Sequence, residues 1–211
     1  MVDSGNRESE AFLQQAASGD RFAAQRLLDL HRDRLRAMIA LRLDRRLSAR
    51  VDPSDVLQET FAEAHQKLPE YLLSQPIPFY PWLRRIAWEK IVDLHRQHVS
   101  AQARSVTREE RFETMLSDQS ALDLAQRLVA KGPSPTRRLL QDEQKQIIQA
   151  ALERLDARDR EVLILRYLEQ LSIEETAASL EISPAAIKSR QRRALEKFSA
   201  LISENSGGGS A

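Results

Sequence analysis

Between Leu171 and Leu195 the chain reads LSIEETAASLEISPAAIKSRQRRAL, and the punctuation of this stretch constrains the fold more than any other. Ser172 and Glu175, three positions apart, form a capping box: the hydroxyl accepts a backbone N–H of the first turn, and the carboxylate accepts the N–H of Ser172. A helix of little more than two turns is therefore expected from Ile173 to Leu180. Leu180-Glu181-Ile182 then turns the chain, Ser183 suits the next N-cap, and Pro184 suits the first helical position. A short helix, a tight turn and a longer helix reaching Ile202 make a helix-turn-helix pattern. Ala177 is small enough to sit where the helices cross, and Thr176, Leu180, Ile182, Ile187, Ala194, Leu195 and Phe198 supply apolar contacts.

The outer face of the longer helix is cationic. With Ile187 at zero on a wheel of about 100° per residue, Ala194, Leu195 and Phe198 share its side, while Ala185, Lys188, Ser189, Arg192 and Arg193 face away. From Ser183 to Phe198, Lys188, Arg190, Arg192, Arg193 and Lys197 stand against Glu196 alone, a local net of +4. Such a face gains affinity for DNA by releasing phosphate counterions, and Arg or Ser also reaches base edges. A solvated basic surface helix is the competing reading of these residues alone.

The rest of the chain is equally helical in pattern. Of 211 residues only 6 are Gly and 5% are aromatic, and alternating β-branched runs are few. One long periodicity is expected from Arg21 to about Leu47, after a shorter helix from Glu10 to Ala17 that stops at Ser18-Gly19. Asp52-Pro53 opens another helix that buries Leu57, Phe61, Ala64 and Leu68 and meets Pro69. The four prolines of PEYLLSQPIPFYP (Pro69 to Pro81) predict a shaped loop. Helical spacing returns from Trp82 to about His98.

Beyond His98 the composition shifts: Glu109, Glu110, Glu113, Asp118 and Asp123 face only Arg111 between Glu109 and Gln126, a local net of −4, before KGPSP at Lys131 to Pro135. Such a stretch reads as a linker. A second helical block is expected over Thr136 to Leu155, Asp156 to Glu169, and the two helices of the turn motif. The expected fold is all-α, with two small helical domains joined by the acidic linker. In residue numbers, 1–9 is a disordered N-terminus, 10–100 a helical bundle, 101–135 the linker, 136–202 the helix-turn-helix domain and 203–211 a disordered tail.

Several function classes lose support. No run of about 18 apolar residues occurs, and the acidic start lacks a secretory signal's basic-then-apolar order, so a cytoplasmic location is expected. The absence of Cys excludes disulfides, thiolate zinc sites and Cys nucleophiles. His95 and His98 are spaced to share a metal, but no third ligand stands at motif spacing. No phosphate-binding Gly loop, nucleophile elbow or paired-carboxylate motif is found, so no enzyme, cofactor or small-molecule substrate is expected.

At the level of whole motifs, LDARDREVLILRYLEQLSIEETAASLEISPAAIKSRQRRALEKF (Leu155 to Phe198) resembles the fourth conserved region of extracytoplasmic-function (ECF) sigma factors, specificity subunits of bacterial RNA polymerase. VDPSDVLQETFAEAHQKL with PFYPWLRRIAWEKIVDLHRQH (Val51 to His98) resembles their second region. The resemblance implies a first domain that docks on the polymerase clamp and opens the minus-ten element. It implies a second domain that meets the polymerase flap and reads the minus-thirty-five element as duplex through Ser183, Ala185, Lys188, Ser189, Arg190, Arg192 and Arg193. Asp55, Gln58 and Glu59 fall on the family's D-x-x-Q-E pattern, which contacts the clamp coiled coil. An acidic and amide face also suits a basic partner helix.

On the Trp82 helix, Arg85, Trp88, Glu89, Val92 and Arg96 lie opposite the core stripe, and an aromatic among cations suits single-stranded DNA. Phe79 and Tyr80 in the preceding loop resemble the segment that captures an unstacked base. An anti-sigma partner is usual for the family, though no residue identifies one. The sequence departs from the family pattern in four places, one of them the Pro-rich SQPIPFYP (Ser74 to Pro81). Glu181 replaces a usual Gly at the turn. Gln191 replaces an apolar residue, which implies looser packing or a rotated helix. Glu89 and Lys90 replace a typical Asn and its neighbour. Two other classes stay open on the residues alone: an autonomous helix-turn-helix regulator that binds DNA without polymerase, and a helical interaction module that does not touch DNA.

Overall fold

The computed structural model describes residues 2–43, 50–100, 147 and 150–206, and every element among them is helical. The chain divides into two compact units, Met1–Thr107 and Arg108–Ala211. The expected linker lies outside the described residues, as do residues 136–146, 148 and 149 of the helix expected from Thr136. No helix among the described residues is long and apolar enough to cross a membrane.

Among the described residues the first unit holds five helices: α1 (Val2–Ala17), α2 (Arg21–Leu30), α3 (Arg32–Arg42), α4 (Pro53–Ser74) and α5 (Phe79–Ser100). Helix α1 packs on α2, and α3 packs on both α4 and α5. Leu27, Leu35, Met38, Ile39, Leu57, Leu83 and Ile91 fill the space between them. Asp52 caps α4 by accepting the Ser54 N–H at 2.7 Å, with Pro53 at the first position, as its sequence demands.

Several boundaries of this unit differ from expectation. Helix α1 starts at Val2 rather than near Glu10, so residues 2–9 are helix and not a disordered arm. Buried Ser9 explains it: its hydroxyl meets His31 Nε2 at 3.1 Å, tying the early turns of α1 to the bundle. The periodicity from Arg21 is two helices, broken at His31 (φ −99°, ψ 0°), whose side chain is only 8% exposed.

Helix α4 runs through Pro69 to Ser74 instead of yielding to a loop there. Pro69 and His65, whose carbonyl loses its partner, are both on the exposed side, where water can replace the missing bond, while Leu68 and Tyr71 keep the buried stripe in phase. The loop shrinks to residues 75–78, entered through Gln75 in the left-handed region (φ 38°). Tyr71 braces it by donating its hydroxyl to the Ile77 carbonyl at 2.9 Å, and burial pushes that phenol up to about 12.

In the second unit α6 (Ala157–Leu163) begins at the Asp156 cap, whose carboxylate accepts the Arg158 N–H at 2.9 Å. Instead of continuing to Glu169 as an α-helix, it widens into a π turn at Ile164–Leu168, where the Glu169 N–H reaches the Ile164 carbonyl at 3.0 Å. Next come α7 (Ile173–Leu180) and α8 (Pro184–Ser206). The last helix passes the expected end at Ile202, carrying residues 203–206 of the expected tail; residues 207–211 lie outside the described residues. Val162, Ala177 and Ile187 are buried together where α6, α7 and α8 meet, flanked by Ile173, Leu180 and Ile182.

Candidate nucleic-acid interface

The α7–α8 corner forms as its caps dictate. Ser172 Oγ accepts the Glu175 N–H at 3.0 Å and Glu175 Oε2 accepts the Ser172 N–H at 2.7 Å, so both halves of the capping box are made. Glu181 takes the left-handed conformation (φ 54°, ψ 36°) that a Gly would adopt without strain, at a cost of about 1 kcal/mol. Ser183 Oγ accepts the Ala186 N–H at 3.2 Å and starts α8.

From there Ala185, Lys188, Ser189, Arg192 and Arg193 all lie exposed on one side of α8, as the wheel requires. Arg192 holds Glu196 at 3.1 Å along the helix surface, a pair that solvent screens and DNA phosphates can displace. Arg190 is a correction. Its guanidinium turns inward to Asp159 on α6, Nε to Oδ1 4.0 Å, with the two side chains only 24% and 22% exposed, so it braces the domain instead of joining the outer face.

Gln191 is the second surprise on this helix. Half-buried, it accepts the Arg166 Nε–H on Oε1 at 3.3 Å and donates from Nε2 to the Tyr167 hydroxyl at 3.0 Å. The amide is therefore bonded on both sides, which accommodates a polar side chain at this half-buried position.

On α5, Arg85, Glu89 and Arg96 are exposed, and Trp88 and Val92 half-buried, along the side facing away from the core. Two guanidiniums flank the Trp88 ring, Arg42 at 5.4 Å and Arg84 at 6.0 Å from its centroid. Both arginines are themselves buried, and they hold the indole by cation–π attraction with part of it still at the surface. A wheel of α5 alone could not reveal Arg42, which comes from α3.

Phe79 and Tyr80 are placed differently from expectation. Each is 3% exposed, in the first turn of α5 and not in the loop. Phe79 packs against Tyr71 at 5.6 Å, Trp82 at 5.4 Å and His31 at 5.4 Å between ring centroids, and Tyr80 meets His31 at 5.5 Å. Aromatic area of this size is more stable inside the bundle than in water, so these rings serve the core and present no base-stacking surface.

Asp55, Gln58 and Glu59 are exposed together on α4, beside exposed Ala62. Lys90 from α5, which sequence reasoning did not place here, approaches Glu59 at 3.9 Å and Glu63 at 2.8 Å, and Lys67 meets Glu63 at 2.6 Å. The Lys67 ammonium, then that of Lys90, holds the Glu63 carboxyl below the usual carboxylate range. Among the described residues no group of three or more His, Cys, Asp or Glu side chains could hold a metal.

Comparison with known proteins matches these two units separately. The family model for Sigma-70 region 2 covers residues 27–101, and that for Sigma-70, region 4 covers residues 145–198. The RNA polymerase sigma factor NccH of Alcaligenes xylosoxydans xylosoxydans is 30% identical over 197 residues, spanning 92% of this chain and 94% of its own. The ECF RNA polymerase sigma factor SigD of Mycobacterium tuberculosis is 30% identical over 189 residues, spanning 90% and 81%. The chain belongs to the sigma-70 family, in its ECF group. This sigma factor spans only 41% of the length of another relative, the probable sigma factor RfaY of Xanthomonas campestris, at 32% identity over 183 residues. The solved structure of CnrH in complex with the cytosolic domain of CnrY resembles the sigma factor with a TM-score of 0.52 and 26% identity, covering 93% of this chain and 98% of that one. As an ECF sigma factor it is a transcription initiation factor, which implies RNA polymerase and promoter DNA as partners.

Proposed function

We propose that the first unit docks on the clamp coiled coil of core RNA polymerase through Asp55, Gln58 and Glu59 of α4. With Arg85, Trp88, Glu89, Val92 and Arg96 of α5 it opens and holds the minus-ten element. The second unit meets the polymerase flap and reads the minus-thirty-five element as duplex through α8. Ala185, Lys188, Ser189, Arg192 and Arg193 face the groove, and Ser183 sets the start of the helix. Phe79, Tyr80 and Arg190 drop out of the contact set because the first two are core and the third is paired with Asp159. The work is done in the cytoplasm, where polymerase meets promoter.

The observation that carries this reading is the coexistence of two distinct faces, one in each unit: a cationic one on α8 and a cation-flanked indole on α5. An autonomous helix-turn-helix regulator needs only the first, and an interaction module needs neither. Duplex affinity comes from charge on α8, whereas stacking on Trp88 has use only once a strand is unpaired. A protein inhibitor that covers one of these faces is part of the proposal, supported by the CnrH–CnrY complex of the structural relative.

Run-off transcription on a promoter library tests it. The chain with core polymerase should initiate from a cognate promoter, while the chain alone binds that promoter weakly. Failure to co-purify with core polymerase, or tight binding of the free chain to a two-fold symmetric duplex, would overturn the reading.

A further inference from the structure

The apolar contacts of α8 fix which of its sides faces inward. Val162, Ala177 and Ile187 are buried together, and Ala194, Phe198 and Leu201 continue the buried stripe along the helix. Hydrogen bonds are directional, and the structure supplies a set at the right place.

Gln191 lies on the inner side of α8, one residue before Arg192 and two before Arg193. Arg166 and Tyr167, consecutive in the π turn, grip its amide from both ends at 3.3 and 3.0 Å. The Arg166 guanidinium also donates from Nη1 to the Leu171 carbonyl, just before the Ser172 cap. One network thus joins the π turn, the entry to α7 and the middle of α8. The Arg190–Asp159 pair adds a second anchor at the neighbouring position.

We propose that Gln191, held by Arg166 and Tyr167, is a positioning residue that sets the axial rotation of α8 and thereby selects the base pairs its outer side chains read, without touching DNA itself. This rests on the duplex-reading role given above to α8. Side-chain tips lie about 5 Å from a helix axis, so a rotation of about 20° displaces them by about 2 Å. That displacement breaks the geometry of a bidentate base contact while leaving phosphate attraction nearly intact. A misrotated α8 therefore loses discrimination before it loses affinity.

The test is run-off transcription by the holoenzyme on a library randomised in the upstream promoter element, comparing wild type, Gln191→Leu and Gln191→Glu. Leu removes both bonds. Glu keeps an acceptor for Arg166 and accepts from the Tyr167 hydroxyl in place of donating to it. Q191L should lose about tenfold in preference for the best upstream sequence, the scale of one well-made base contact, with its preference flattened or shifted. Its affinity for core polymerase should be unchanged, and Q191E should retain the wild-type preference within about twofold.

Two results overturn the inference: an unaltered preference in Q191L, or a uniform loss of transcription across all sequences accompanied by lower helix content, which marks a merely structural residue. A wild-type chain that fails to initiate at all refutes the sigma reading and this inference with it. Initiation by wild type with an unaltered Q191L refutes the inference alone.

Discussion

Phe79 and Trp88 lie on the same helix yet sit in opposite circumstances. Phe79 is enclosed by Tyr71, Trp82 and His31, whereas Trp88 keeps part of its ring at the surface between Arg42 and Arg84. Truncating each should therefore fail differently. Phe79→Ala opens a cavity in the aromatic cluster and should destabilise the first unit by about 3–5 kcal/mol, lowering all activity in proportion to the folded fraction. Trp88→Ala should leave the fold and polymerase binding largely intact but reduce transcription from duplex promoters more than from templates already opened at the minus-ten element. Chemical denaturation beside transcription on the two kinds of template separates the cases; equal loss on both would remove the strand-opening role from Trp88.

At the scale of elements, the seam between α4 and α5 is an ion-pair chain in which Glu63 takes both Lys67 and Lys90. Its carboxyl is held below the ordinary carboxylate range, so the folded state binds this proton less readily than the unfolded chain does. The resulting stabilisation is complete above that range and is lost as pH falls through the lowered folded value. Urea denaturation between about pH 3 and 6 should show an acid limb that is flatter in Glu63→Gln than in wild type. Identical limbs would mean that solvent screening cancels the pair.

Caps and turns of this kind were legible in advance because their chemistry is local. Ser172, Glu175, Ser183 and Asp52 all act on backbone within a few residues. What was not legible depends on partners distant in sequence. His31 breaks the α2–α3 periodicity against Ser9, Pro69 is tolerated because its side of α4 faces solvent, and Arg190 turns inward only because Asp159 is there. The outer faces of α5 and α8 were readable from a helical wheel, but Arg42 beside Trp88 and the grip on Gln191 were not, since no wheel contains a neighbouring helix.

For the whole molecule, the formal net charge of +1 conceals opposite local fields, since the outer face of α8 concentrates cations while Asp55 and Glu59 mark α4. Affinity for upstream duplex should accordingly be carried by few charges. Replacing Lys188, Arg192 and Arg193 together by Gln should lower the slope of log affinity against log salt by about 2–3 for holoenzyme on promoter duplex, measured by fluorescence anisotropy. An unaltered slope would remove phosphate contact from α8.

The π turn at Ile164–Leu168 closes its ring over one residue more than an α-helical turn does. Its two adjacent side chains, Arg166 and Tyr167, meet a single amide on α8. Changes in chain length consequently fall into two kinds in this protein. The loop at 75–78 is exposed except for Ile77, so a residue added beside Gln75 and Pro76 costs little as long as the Tyr71–Ile77 bond is kept. Dropping one residue from the π turn would restore a regular helix, re-index everything after it by about 100°, and separate Arg166 from its partner. That short stretch works as a reading frame for the domain, and substitutions there should accumulate over evolution far more readily than insertions or deletions.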